Sequence, residues 1–283
     1  MLANGVFLAL QLGLDEAAFR SWGWRVPFLA SLGLVAVGLF VRLRLEETPL
    51  FRGEVRTGAE RAPVVEVLRG HWRTVLVGCG AITVGYALFY LTTTYALAYA
   101  TTGLGVPSTV VLSMLLVGAV GKGVTVWLSA RRSDVWGRRR TLQGATGLAV
   151  LWGLVLFPLL ETERRGLMFL ALAGAMVALG CLLGPLAAFL PELFPTRVRY
   201  TGAALTYNLG GVVGGATTPL IATRLTETYG TAEPVGWYLA GWGVVALLCL
   251  RRLPETVGTD LSVTSRIGGT AAGTDFPFRP PAV

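Results

Sequence analysis

Long apolar stretches separated by short polar turns set the pattern of this chain. Thr74–Gly121, Thr141–Leu160, Gly166–Pro191 and Tyr200–Thr223 contain no charged side chain. About twenty apolar residues cross the roughly 30 Å of bilayer hydrocarbon. The first of these runs is therefore two crossings, turned at Gly103-Leu104-Gly105-Val106-Pro107-Ser108. Trp24–Val41 and Gly236–Leu250 are shorter but suffice with snorkelling ends. The pattern predicts seven full transmembrane helices, over 24–42, 74–100, 107–128, 141–160, 166–190, 201–224 and 236–250. Met1–Leu14 is apolar without a basic leader or a small-residue cleavage site, so it reads as a partial helix whose beginning is missing. The expected fold class is an all-α polytopic membrane protein.

Composition agrees with the pattern. Of 283 residues, 53% are hydrophobic and only 14% charged, and mean hydropathy is +0.63. A soluble domain carries about a quarter charged residues. The net charge of +8 suggests nucleic acid until the positions are read. Segments 42–73, 129–140 and 191–200 and the tail from Arg251 hold eighteen of the 24 lysines and arginines. This is the positive-inside pattern; it puts those segments and the C-terminus on the cytoplasmic side, with the lipid bilayer rather than nucleic acid as partner. Cys79, Cys181 and Cys249 lie in apolar runs without metal-ligand spacing and read as packing residues. No metal or cofactor is called for. With His71 as the lone histidine, no Gly-x-Ser-x-Gly and no metal spacing, there is no catalytic constellation, and an enzyme is not expected.

Two polar turns carry the candidate chemistry. In Pro191-Glu192-Leu193-Phe194-Pro195-Thr196-Arg197-Val198-Arg199-Tyr200-Thr201-Gly202 the prolines are expected to stop one helix and delay the next. Glu192 with Arg197 and Arg199 can close the turn on itself or staple neighbouring helix ends. In the predicted loop from Leu128 to Arg140, Asp134 is expected to accept from the free N–H groups of a helix start, and Gly137 permits a tight turn. Arg138 and Arg139 belong to the arginine run that anchors the interface. On helix 74–100, Tyr86, Tyr90 and Thr93 share one face near mid-bilayer. They either line a wet cavity or bond between helices and to their own backbone. Tyr207 and Asn208 form the matching polar pair on helix 201–224. Lys122, about 9 Å by helical rise from Leu128, either snorkels to the interface or presents a substrate or gating charge. No carboxylate lies in the core of a predicted crossing. Pro63–Arg73 alternates apolar and basic residues, as either a surface-lying amphipathic piece or a solvated connector. The stretch Thr256–Val283, rich in Gly, Thr and Pro, is expected to be disordered.

Three segments together resemble the major facilitator superfamily, and within it the metabolite:proton symporter family. Ser21-Trp22-Gly23-Trp24-Arg25-Val26-Pro27-Phe28-Leu29, continuing to Arg42-Leu43-Arg44-Leu45-Glu46-Glu47-Thr48-Pro49, is similar to the family's sixth helix and its exit. Ser133-Asp134-x-x-Gly137-Arg138-Arg139-Arg140 resembles the superfamily loop after the eighth helix. The Pro191–Gly202 turn, continuing through Tyr207-Asn208-Leu209-Gly210-Gly211 to Pro219-Leu220-Ile221-Ala222-Thr223, resembles the tenth loop and eleventh helix. The resemblance implies a partial major-facilitator fold of twelve-helix type. Residues 1–42 would be the last one and a half helices of the N-terminal half, 43–73 the central linker, 74–252 the six-helix C-terminal half and 253–283 a cytoplasmic tail. It further implies a proton-coupled symporter for a small organic solute, a carboxylate or zwitterion, in a bacterial plasma membrane, with protons as co-substrate. Tyr86, Tyr90, Thr93, Tyr207, Asn208 and Lys122 would face the substrate cavity. Asp134, Gly137, Arg138, Arg139, Glu192, Arg197 and Arg199 would form the cytoplasmic gating loops. The alternative expectation is a truncated, non-transporting membrane remnant of such a transporter.

Overall fold

The computed structural model describes residues 13–44 and 62–258, together with Val6 and Leu10. Most of the expected partial helix 1–14, residues 45–61 of the expected linker and residues 259–283 of the expected tail lie outside the described residues. The chain divides into two compact units, residues 1–60 and 61–283.

In the first unit, Asp15 caps α1 (Glu16–Ser21) by accepting from the Ala18 N–H at 2.7 Å. After a 3₁₀ turn at Gly23–Arg25, α2 runs over Val26–Arg44, with Pro27 in its first turn and Arg42 and Arg44 in its last. None of its residues is buried.

The second unit opens with α3 (Pro63–Gly70), an amphipathic helix. Its Val67 packs with Val75, Phe194 and Val198, while Val64, Val65 and Leu68 are exposed. α3 is therefore docked protein rather than a solvated connector. α4 (Trp72–Tyr90) continues through wide π turns at Leu91–Tyr95 and Tyr99–Gly103 on either side of the single turn Ala96–Ala98. Threonines cause local disturbance here: Thr92 and Thr93 donate to the Leu88 and Phe89 carbonyls at 2.8 and 2.7 Å, competing with the helical ladder. α5 (Ser108–Trp136), α6 (Arg138–Glu161) and α7 (Arg165–Glu192) follow. α8 (Arg199–Gly211) passes through a π turn at Val212–Ala216 into α9 (Thr218–Tyr229), and α10 (Glu233–Arg252) closes the bundle.

By length and composition, six helices among the described residues can cross a membrane: Gly23–Arg44, Trp72–Gly103, Ser108–Trp136, Arg138–Glu161, Arg165–Glu192 and Glu233–Arg252. The crossing expected over 201–224 is instead the interrupted stretch Arg199–Tyr229. Two further expectations are corrected. The predicted loop 129–140 shrinks to one non-helical residue, because α5 runs on to Trp136 and α6 starts at Arg138. Gly137 between them has φ +104°, a left-handed value that side-chain-bearing residues rarely adopt. Pro191 does not stop its helix; it sits within the last turn of α7, and the break comes at Pro195, which restricts Phe194.

α7 is the buried centre, carrying Met168, Leu172, Ala175, Leu179 and Phe189 into the core. Its seam with α5 is a close backbone approach. A Cβ on Gly180 would meet the Lys122 carbonyl oxygen at 2.6 Å, and one on Gly184 would meet the Val126 carbonyl oxygen at 2.5 Å. Across the same seam Thr125 donates to the Val177 carbonyl at 3.2 Å and Ser129 to the Cys181 carbonyl at 2.7 Å. Small residues and hydroxyl bonds of this kind hold helices together where lipid supplies no hydrophobic drive. Gly180→Val should therefore overpack the seam and lower unfolding free energy by about 1–3 kcal/mol. Denaturant titration in detergent micelles measures it, and an unchanged midpoint would remove the seam from the stability account.

Candidate functional site

Two places bring together the residues singled out by the sequence. The first is a cavity of about 170 Å³ lined by Tyr86, Phe89, Lys122 and Tyr207, with leucines such as Leu142, Leu182 and Leu186 behind them. That is on the order of the ~150 Å³ cavity that takes up benzene, so it suits a small organic molecule. Tyr86 and Tyr207 meet edge to face, with ring centroids 5.2 Å apart. Gly211 leaves room for this, since a Cβ there would lie 3.2 Å from the Tyr86 ring. Lys122 turns its ammonium into the cavity, 5.7 Å from the centre of the Phe89 ring. α5 extends past Leu128, and the first arginine of its C-terminal run, Arg131, lies about 14 Å farther along the helix.

Three expected cavity residues do not line this space. Thr93 donates to the Phe89 carbonyl at 2.7 Å, within its own helix. Asn208 donates to the Ala204 carbonyl at 2.8 Å and is exposed. Tyr90 packs on Phe89, with centroids 5.3 Å apart, and against Gly215. For Thr93 and Asn208 a carbonyl four residues back in the same helix takes the polar group.

The second place is a clasp joining the helix ends at Gly137. Arg138 grips Glu192 with two parallel bonds, Nε to Oε2 and Nη2 to Oε1, each 3.2 Å. Its remaining nitrogen, Nη1, donates to Asp134 Oδ1 at 2.6 Å and to Ser133 Oγ at 2.9 Å. Bidentate guanidinium–carboxylate bonds are among the stronger and more directional polar contacts. Asp134 therefore serves the Arg138 side chain, not the N–H groups of a helix start as expected. The Pro191–Gly202 turn also divides differently. Glu192 reaches away to Arg138 and accepts from Thr256 Oγ1, Arg197 pairs with Glu66 of α3 at 3.1 Å, and Arg199 closes the turn by donating to Thr196 Oγ1 at 3.1 Å and the Phe194 carbonyl at 3.4 Å.

Sequence reading missed Glu255. The first turn of α6 is Arg138-Arg139-Arg140, with no acidic residue and no side-chain cap. Glu255, just beyond α10, supplies the negative charge by accepting from the Arg139 N–H at 3.2 Å, while the Arg139 side chain donates to the Leu253 carbonyl at 3.0 Å. A Cβ on Gly137 would come within 2.5 Å of Glu255 Oε2. The expected tail thus begins with packed residues, for Leu253 and Thr256 are buried. The available signal was an uncapped, all-arginine helix start, which had to find an acid elsewhere. At the opposite end of the bundle, Glu161 accepts from the Tyr99 hydroxyl at 2.9 Å, from Thr231 Oγ1 at 3.3 Å and from the Ala232 N–H at 3.0 Å. It ties the ends of α6 and the α4 extension to the start of α10.

These features are those of a helical membrane protein with a solute-sized space among its helices and a polar clasp joining helix ends at one side. A family profile of the Major Facilitator Superfamily matches residues 3–217. The chain is 39% identical over 260 residues to the inner membrane metabolite transport protein YhjE of Escherichia coli (strain K12), covering 90% of this chain and 59% of that protein. It is 31% identical over 287 residues to the proline/betaine transporter of the same organism, covering 98% of this chain and 56% of that protein. Its identity to the shikimate transporter of that organism is 30% over 255 residues, covering 88% and 56%. The chain belongs to the Major Facilitator Superfamily and is an integral membrane protein. It spans between 56% and 59% of the length of these relatives.

If the clasp couples helix ends, Arg138→Gln and Glu192→Gln should each destabilise, and their double-mutant cycle should show coupling of about 1–3 kcal/mol. Unfolding of the four variants in micelles gives the coupling directly, and strictly additive losses would show that the two ends are independent.

Proposed function

We propose that this chain carries the solute-handling six-helix half of a secondary transporter that moves a small organic solute by alternating access. The observation that supports it most is the 170 Å³ cavity with Tyr86, Lys122 and Tyr207 on its wall, lying between helices whose ends are locked by Arg138 and Glu192. In this reading the clasp holds the arginine-rich end closed and opens when the helices rock. Residues 74–252 form the working half, 1–42 belong to the other half, and 43–73 link the two. The arginine clustering supports a cytoplasmic placement of the clasp and the C-terminus in a bacterial plasma membrane.

The solute class is supported by kinship. Proline, betaine and shikimate, for which two relatives are named, all bear a carboxylate. Proton coupling is proposed on the same ground. Within 62–258 the acids stand in turns or within a turn or two of a helix end, as Asp134, Glu161, Glu192 and Glu255 do, so the coupling group is expected outside that range.

Uptake of radiolabelled proline, glycine betaine and shikimate into proteoliposomes holding the chain, under an imposed inward proton gradient, tests the reading. Accumulation of at least one solute, abolished by a protonophore, is expected. No uptake above protein-free liposomes, with the chain inserted and folded, would favour a non-transporting member of the superfamily. Tyr86→Phe should lower uptake efficiency by roughly three- to tenfold, the cost of one hydrogen bond. Asn208→Ala, whose amide is satisfied by Ala204, should change it by less than about twofold.

A further inference from the structure

Apart from the lone His71, every basic side chain of this protein is an arginine except one: Lys122 is the only lysine in the sequence. It is also the only charged residue on the cavity wall. Its main chain is pinned by the close approach of α7, since Gly180 leaves the Lys122 Cα just 3.2 Å from where a Cβ would stand. Its ammonium lies 5.7 Å from the Phe89 ring centre, and it has neither a hydrogen bond nor an ion pair among the described residues. A cation–π contact contributes only roughly 0.5–2 kcal/mol, so the ammonium donors stay open to a ligand, and a space of about 170 Å³ has room for a solute that brings an anion.

We propose that Lys122 is the anchor for the carboxylate of the transported solute. The α5–α7 seam holds it in place, and Tyr86, Phe89 and Tyr207 receive the rest of the molecule. This rests on the transporter reading above and adds to it the residue that recognises the carboxylate of the solute. Lysine suits the task. Its ammonium is a compact point charge with three donors on a flexible stem, able to meet a carboxylate without the flat, bidentate register an arginine imposes. The aromatic faces beside it accept either an apolar ring or a quaternary or secondary ammonium, which explains how one wall could serve anionic and zwitterionic acids alike.

The lone lysine makes the test direct. Reductive ¹³C-methylation keeps the positive charge and labels only Lys122 and the N-terminal amine. The labelled chain in phospholipid nanodiscs is titrated with proline, glycine betaine and shikimate, and with the methyl ester of each. At least one acid should shift the Lys122 resonance saturably, with its ester inactive and the N-terminal resonance unmoved. Calorimetry on unlabelled protein should show that Lys122→Met weakens binding of that acid by about tenfold or more, whereas Lys122→Arg retains most of it. Saturable binding that leaves the Lys122 resonance still, or that survives Lys122→Met, would overturn the anchor while leaving the transporter reading intact. Equal binding of acid and ester would overturn it as well, as would the absence of binding by all three acids. Binding through Lys122 without uptake in proteoliposomes would sustain the anchor and sink transport by this chain.

Discussion

The close approach of helix backbones, made possible by glycine, is the constraint on which the second unit depends. In lipid, apolar surface gains little by leaving its surroundings, so helices associate through packing and hydrogen bonds. Along the α5–α7 seam, Gly118, Gly180 and Gly184 let main chains meet, and Thr125 and Ser129 donate across it. Trp152 makes a similar bond from α6, its indole N–H donating to the Ala171 carbonyl at 2.9 Å. Where α8 crosses α4, Gly210 abuts Ile82 and Gly211 abuts Tyr86. The position of each cavity side chain follows from these contacts. Lys122 is set by Gly180, and Tyr86 by Gly211.

The clasp is built on a different limitation, the unsatisfied N–H groups at a helix start. With a single residue, Gly137, between α5 and α6, no ordinary cap fits, and three arginines follow at once. Negative charge must come from elsewhere in the bundle. Glu192 arrives from the end of α7 and Glu255 from beyond α10, so that one glycine joint gathers the ends of four helices. Acid residues far apart in sequence are thereby made to depend on one another.

The membrane class and the crossings were legible because uncharged runs of bilayer length have few alternative readings. Tyr86, Tyr207 and Lys122, singled out by their polarity within apolar runs, lie together on one cavity wall. What stayed hidden were pairings between distant residues. Arg197 with Glu66 and Arg139 with Glu255 join segments whose proximity no local pattern encodes. Proline signals misled as well: Pro191 lies inside the last turn of α7, which ends only after Glu192. Thr93 was singled out by periodicity and Asn208 by its place beside Tyr207, yet hydroxyl and amide groups in an apolar helix take the nearest carbonyl four residues back.

The regular and irregular parts of the bundle meet at the cavity. α5 and α7 are long unbroken α-helices sharing the glycine seam, whereas α4 and the α8–α9 stretch both contain π turns, at Leu91–Tyr95 and Val212–Ala216. The second of these turns packs on α4, where Gly214 meets Thr83 and Gly215 meets the Tyr90 ring. Helices carrying such turns have given up part of the i to i−4 ladder and offer cheaper places to bend than a seam of interlocked backbones. Lys122 belongs to the regular pair, and Tyr86 and Tyr207 belong to the irregular pair. In the proposed transport reading, a solute bound by both pairs would bridge the stiffer and the more deformable parts of the unit.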